Sequence, residues 1–148
     1  METLSLVGKI VGTFLLKSTS GLSNQAMLNA FETIDAWIYV IDGESHEILY
    51  MNRKTRDMEQ TGDGSGPCHV VLRGKSAPCA DCPVEHLRNM PEGETSAAAL
   101  YNEQYALRVW TTARRVRWYG NDNACIICCQ DITEFTADAR PPRKDEAR

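Results

Sequence analysis

Three β-rich segments follow one another in the C-terminal half of the chain, residues 96–101, 105–118 and 124–132, with turn residues between them at Asn102-Glu103 and at Gly120-Asn121-Asp122-Asn123. Two more precede them, residues 36–41 and 47–51, rich in β-branched and aromatic side chains and joined by an Asp42-Gly43 turn that makes a hairpin. The helical signals of the middle of the chain lie between the second and third of these segments. Two strands, several short helices and three strands predict an α+β domain, a five-stranded antiparallel sheet with short helices on one face.

Within that middle stretch Asn52 is placed to cap a helix over residues 53–60, and Gly62, Gly64 and Gly66 make a loop. Pro83 suits the first turn of a further helix over 83–89, which stops at Met90-Pro91-Glu92-Gly93. Ahead of the first strand, Leu4, Val7, Val11 and Phe14 recur at helical spacing, so residues 3–17 read as an amphipathic helix. Val7, Val11 and Phe14 are the expected centre of a homodimer contact; folding of that helix onto its own domain is the other solution. A polar break over 18–23 leads to Asn24, the expected cap of a second helix carrying Met27, Phe31 and Ile34. The expected organisation is an N-terminal helix and linker over 1–23, a domain over 24–135, and a solvated tail or output linker over 136–148.

With 148 residues, 43% of them apolar, the chain has enough for one domain with a real core. The net charge of -4, without a Lys/Arg cluster outside the tail, argues against a nucleic-acid surface and for a small ligand or another protein as partner. The apolar run from Leu4 to Leu16 is interrupted by Lys9, lacks a basic leader and is too short to span a bilayer, so a cytoplasmic protein is expected. Six cysteines in such a setting serve as ligands, redox groups or core residues rather than disulfides.

Three of those cysteines and two of the three histidines fall between Cys68 and His86. Cys79-x-x-Cys82 can turn two thiolates toward one ion, Cys68 can reach across the loop, and His86 lies four residues beyond Cys82. The expectation is a structural zinc held by Cys68, Cys79, Cys82 and His86, with His69 or Asp81 able to replace His86. A thiol switch among the same three cysteines, and plain burial in the core, are the other readings. Cys125 and Cys129 share one strand face while Cys128 points to the other, so these read as sheet packing. No Ser/His/Asp set, phosphate-cradling loop or usefully spaced carboxylate pair is present, and no enzyme activity is expected.

The sequence resembles a PAS domain over residues 24–135. The resemblance is carried by Glu32-Thr-Ile-Asp-Ala-Trp-Ile-Tyr-Val-Ile-Asp42, by Ile48-Leu-Tyr-Met-Asn52 and by Cys129-Gln-Asp-Ile-Thr-Glu134. The Cys68, Gly74, Pro78-Cys79 and Cys82-Pro83 pattern is similar to a subgroup found in bacterial sensor histidine kinases and diguanylate cyclases. The resemblance implies a sensory module whose pocket occupant shifts the flanking helices and so an effector protein or domain, a kinase or a cyclase. A ligand-free dimerisation or interaction module is the alternative. It also implies a pocket between helices and sheet, expected at Tyr39, Tyr50, Val71, Leu87 and Trp110. Flavin-binding members carry an Asn-Cys-Arg motif; Gly66-Pro67-Cys68-His69 lacks its asparagine and arginine, which argues against flavin. Haem-binding members place a histidine on the helix where His86 stands, but a lone helical histidine is more often structural, so haem is disfavoured beside zinc.

Overall fold

The structure, a computed structural model, describes residues 21–59, 64–103 and 105–136. The chain divides between Ile34 and Asp35. On the N-terminal side stands α1 (Gly21–Thr33), which includes Asn24 instead of starting at it. Its last turn is closed by the Thr33 hydroxyl donating to Ala30 O at 2.8 Å. The expected dimer residues Val7, Val11 and Phe14 lie outside the described residues, as does the tail beyond residue 136.

The unit from Asp35 onward holds five strands, β1 (Trp37–Asp42), β2 (Ile48–Met51), β3 (Thr95–Asn102), β4 (Leu107–Trp118) and β5 (Asn121–Asp131), in one sheet of order β2-β1-β5-β4-β3. Every pairing is antiparallel. Between β2 and β3 come three short helices, α2 (Arg53–Arg56), α3 (Cys68–Val71) and α4 (Pro83–Leu87), and a 3-10 turn (Glu134–Thr136) follows β5. α2 is shorter than its sequence suggested: Asp57 is its C-cap, and Met58 O is taken by the Tyr105 hydroxyl at 2.6 Å instead of a helical amide.

Asn52 is the cap expected of it, and more. Its Oδ1 accepts from Thr55 N–H at 3.1 Å, which starts α2, and from Ile38 N–H at 3.2 Å, which ties that start to β1. The side chain is fully buried, so these bonds form out of competition with water.

Register decides which face of the sheet becomes the interior. Tyr39 pairs with Ile127, Ile41 with Cys125, and Ile127 in turn with Ala113, so these side chains line one face. Cys125 and Cys129 are buried on it and Cys128 is not, the division their spacing predicts. α4 packs on β3 and β4 and buries Val84 and Leu87 in this core, each contributing roughly 1.5–3 kcal/mol. Arg115 then holds the end of α4: its guanidinium donates to Leu87 O, which also accepts from Met90 N–H at 3.1 Å, and at 3.4 Å to Met90 O in the turn that follows.

The hairpin end is equally specific. Asp42 Oδ1 accepts from the N–H groups of Glu44 and Ser45, both at 2.9 Å, and its Oδ2 from Asn121 Nδ2 at 2.9 Å. Gly43 follows because β5 passes so close: a Cβ there would meet Asn123 O at 2.5 Å. Among the described residues no helix is long and apolar enough to cross a membrane.

Candidate functional site

Between the inner sheet face and the short helices lie two small cavities, of about 40 and 30 Å³, that share Tyr39, Leu72 and Arg73. Trp37, Thr55, Met58 and Cys129 close the first; Cys68, Cys79, Cys82 and Thr111 close the second. The walls are mostly apolar with a few convergent polar atoms, the composition of a small-molecule site. Arg73 is half-buried, and no carboxylate pairs with it among the described residues.

Burial sets the protonation of the lining groups. It pushes the Cys68 thiol up to about 12, the neighbouring Cys82 and Cys79 adding to the effect. It also raises Cys82, Cys125, Cys128 and Cys129, so these are neutral thiols near neutral pH and poor nucleophiles. Tyr39 is raised well above the usual phenol range, first by burial and then by the nearby Cys129 and Cys68. The Thr111 hydroxyl meets Cys129 Sγ at 3.4 Å, a soft hydrogen bond across neighbouring strands.

The structure gathers Cys68, Cys79 and Cys82 around one cavity. It does not place His86 there: α4 turns Val84 and Leu87 inward, and His86, one residue before Leu87, faces water. Cys82 is the N-cap of α4 rather than part of its first turn, so the four-residue interval to His86 does not put the two side chains on one helical face. Asp81 is exposed as well. Among the described residues, the side chains whose ligand atoms do come together are His46, Cys68 and His69, all within 4.8 Å of one another.

Of the expected pocket residues, Tyr39 lines both cavities, while Val71 at the end of α3 is fully buried and Leu87 at the end of α4 packs in the core, neither lining either of these two cavities. Tyr50 and Trp110 face away. Tyr50 pairs with Val40 while its neighbour Met51 pairs with Tyr39, and the Tyr50 ring packs on Trp118 with centroids 5.5 Å apart. Trp110 lies between the buried Val109 and Thr111 in β4 and stays 42% exposed, because alternation sends it to the opposite face.

Sequence reasoning passed over His46 and Arg73. Arg73 follows Leu72 at the end of α3 and carries no periodic signal. His46 lies in the connection between β1 and β2 and adopts φ 62°, a left-handed conformation in which histidine is commoner than most non-glycine residues.

No family model and no curated protein sequence matches the chain. Solved structures do. The phage VqmA–DPO complex superposes with a TM-score of 0.52 at 12% identity, over 82% of this chain and 58% of that one. The Rhodobacter sphaeroides LOV protein superposes at 0.50 with 9% identity, over 73% of this chain and 66% of that one. A PAS domain of an HTR-like protein from Haloarcula marismortui, at 0.47 and 16% identity, is matched over 76% of this chain and all (100%) of its own. The sheet order, the short helices on the inner face and the superpositions at 0.50 and above define the class: the chain has the PAS fold.

Proposed function

We propose that this domain is a sensory module that holds a small ligand between Tyr39, Arg73 and the thiols of Cys68, Cys79, Cys82 and Cys129. The supporting observation is Arg73: a guanidinium at the wall of both cavities, without a carboxylate partner among the described residues. A cationic fork over an otherwise apolar, enclosed space selects a compact molecule bearing an anionic or strongly accepting group. Size agrees, since cavities of about 40 and 30 Å³ are far below the roughly 300–1,000 Å³ of pockets for drug-sized ligands. The VqmA structure is described as a complex with DPO, and a bound partner on a chain of similar fold is in keeping with this reading.

Occupancy would act on α3 and α4, which wall the second cavity through Cys68 and Pro83, and pass from the sheet to flanking helices and an effector of kinase or cyclase type. Self-association through Val7, Val11 and Phe14 belongs to the same reading. Native mass spectrometry of freshly purified protein tests it: a non-covalent mass released on mild activation, absent from Arg73→Ala at unchanged far-UV circular dichroism, is expected. Wild-type and variant spectra that both show the bare polypeptide, together with no small carboxylate raising Tm, would refute it.

The ligand-free interaction module draws support from a different face. Tyr101 and Trp110, side by side on the outer surface of β3 and β4, remain 43% and 42% exposed, and aromatic surface of that kind is favoured in protein contacts. Substituting both by serine would weaken self-association or effector capture.

A further inference from the structure

The thiol segment meets the β1–β2 connection through its backbone. His46 N–H donates to Asp42 O at 2.9 Å, and His46 O accepts from Cys68 N–H at 2.9 Å, so the turn and the start of α3 are fastened together. That contact places the His46 and His69 rings edge to face with centroids 5.8 Å apart and sets Cys68, the first residue of α3, beside them.

Both rings are out of reach of water, 3% and 8% exposed, and Nδ1 of each has no hydrogen-bond partner. Burying an unsatisfied polar atom costs about 1–3 kcal/mol, and native interiors contain few. Two in touching histidines, with a thiol beside them, form a set of donors that lacks its acceptor of electron pairs. The other nitrogen of His46 is engaged: Nε2 lies 2.8 Å from Glu85 Oε1, and Arg88 Nε holds the second carboxylate oxygen at 3.2 Å. A carboxylate accepts, so Nε2 carries the proton and the lone pair is on Nδ1. A carboxylate behind an imidazole that offers its other nitrogen is the outer-shell arrangement of metal-ligating histidines.

The geometry points to a binding site for a single zinc-class divalent ion at His46, Cys68 and His69, oriented from outside by Glu85. Two imidazoles and one thiolate suit the borderline softness of that ion and leave a fourth position open to water or a small ligand. On binding, the Cys68 thiol gives its proton to solvent, no electron is transferred, and the thiolate together with Glu85 balances the added double charge. The ligand atoms stand within 4.8 Å of one another, whereas metal–ligand distances of roughly 2.0–2.3 Å require them about an ångström closer. The site is independent of Arg73 and survives the failure of the ligand reading.

Titration of the chelator-stripped full chain with Zn²⁺, and with Co²⁺ as a spectroscopic stand-in, tests the assignment. One equivalent is expected to bind, with a thiolate-to-cobalt charge-transfer band that Cys68→Ser abolishes. His46→Gln and His69→Gln should weaken binding at least 100-fold, and Glu85→Gln about 10–100-fold. The double variant Cys79→Ser/Cys82→Ser, and His86→Gln, should bind within threefold of wild type. Loss of binding in the double variant with retention in His46→Gln would overturn the site, as would a wild-type chain that binds no ion. Should the buried variants not fold, Glu85→Gln decides: its side chain is half-buried, and an unchanged metal-induced rise in Tm in this variant counts against the assignment.

Discussion

Asn52 Nδ2 donates to Ala36 O at 2.8 Å, so a single buried amide side chain caps α2, receives β1 and fixes the chain where it enters the sheet. Asn52→Ala leaves Ala36 O and Ile38 N–H without these partners in a dry interior. Urea unfolding should show a loss of about 2–4 kcal/mol at unchanged m. Asn52→Asp keeps the acceptor but sets a carboxylate against Ala36 O, and should fold no more stably than the alanine variant. A change below about 0.5 kcal/mol for either would mean the network is not what fastens β1.

At the other end of β1 the requirement is for the absence of a side chain. Gly43→Ala drives a methyl group into the backbone carbonyl of Asn123, which cannot step aside while Gly43 N–H is bonded to it at 2.7 Å. Calorimetry should give a lowered Tm and a loss of about 1–3 kcal/mol. An alanine variant as stable as wild type would show that β5 yields at this turn.

Asp42 makes stability depend on acid. The Asn121 amide, then the Ser45 and Glu44 N–H groups, hold its carboxyl at about 2, below the usual 3.8. Because the folded value is the lower one, the contribution is fully present above pH 3.8 and is lost as pH falls through 2. Unfolding free energies measured from pH 5 downward should decline in that window, and Asp42→Asn, which cannot titrate, should flatten the decline. Identical acid limbs for the two proteins would rule out this residue as the source.

Arg115 reaches from β4 to Leu87 O at the end of α4 and to Met90 O in the turn after it. In Arg115→Met the aliphatic stem is kept and the donors are lost, so the helix should fray while the sheet stays intact. Hydrogen exchange is the suitable probe: amides of residues 84–87 and of the following turn should open more easily by roughly 1–3 kcal/mol. Uniform acceleration across β1, β4 and β5 would instead indicate global destabilisation and refute a local tether.

Short-range pattern made much of this molecule legible. Alternation in the Trp37 to Asp42 and Asn121 to Asp131 stretches reads as strand because successive side chains must point to opposite sides of a sheet, and the same rule separates Cys128 from Cys125 and Cys129. Asp42-Gly43 reads as a turn and Asn52 as a cap because each bonds to backbone within a few residues of itself. Alternation does not say which of the two faces is inward when both carry large apolar groups, which is why Tyr50 and Trp110 were expected inside and stand outside.

The chemistry of the candidate site depends on tertiary structure for a related reason. His46 and Glu85 are 39 positions apart and meet at 2.8 Å only because β2 folds back on β1 and the segment before α3 bridges to Glu47. Spacing in the sequence brought Cys68, Cys79 and Cys82 to notice, since metal ligands close in the chain share a turn, but His46 is supplied by a hairpin connection and His86 is carried away by the packing of Val84 and Leu87. What the sequence alone determined is the set of local conformations and the order of elements, because their energetics are local. Which side chains share a cavity, and which nitrogen is left with a free lone pair, followed from strand register and helix burial, which are properties of the whole folded domain.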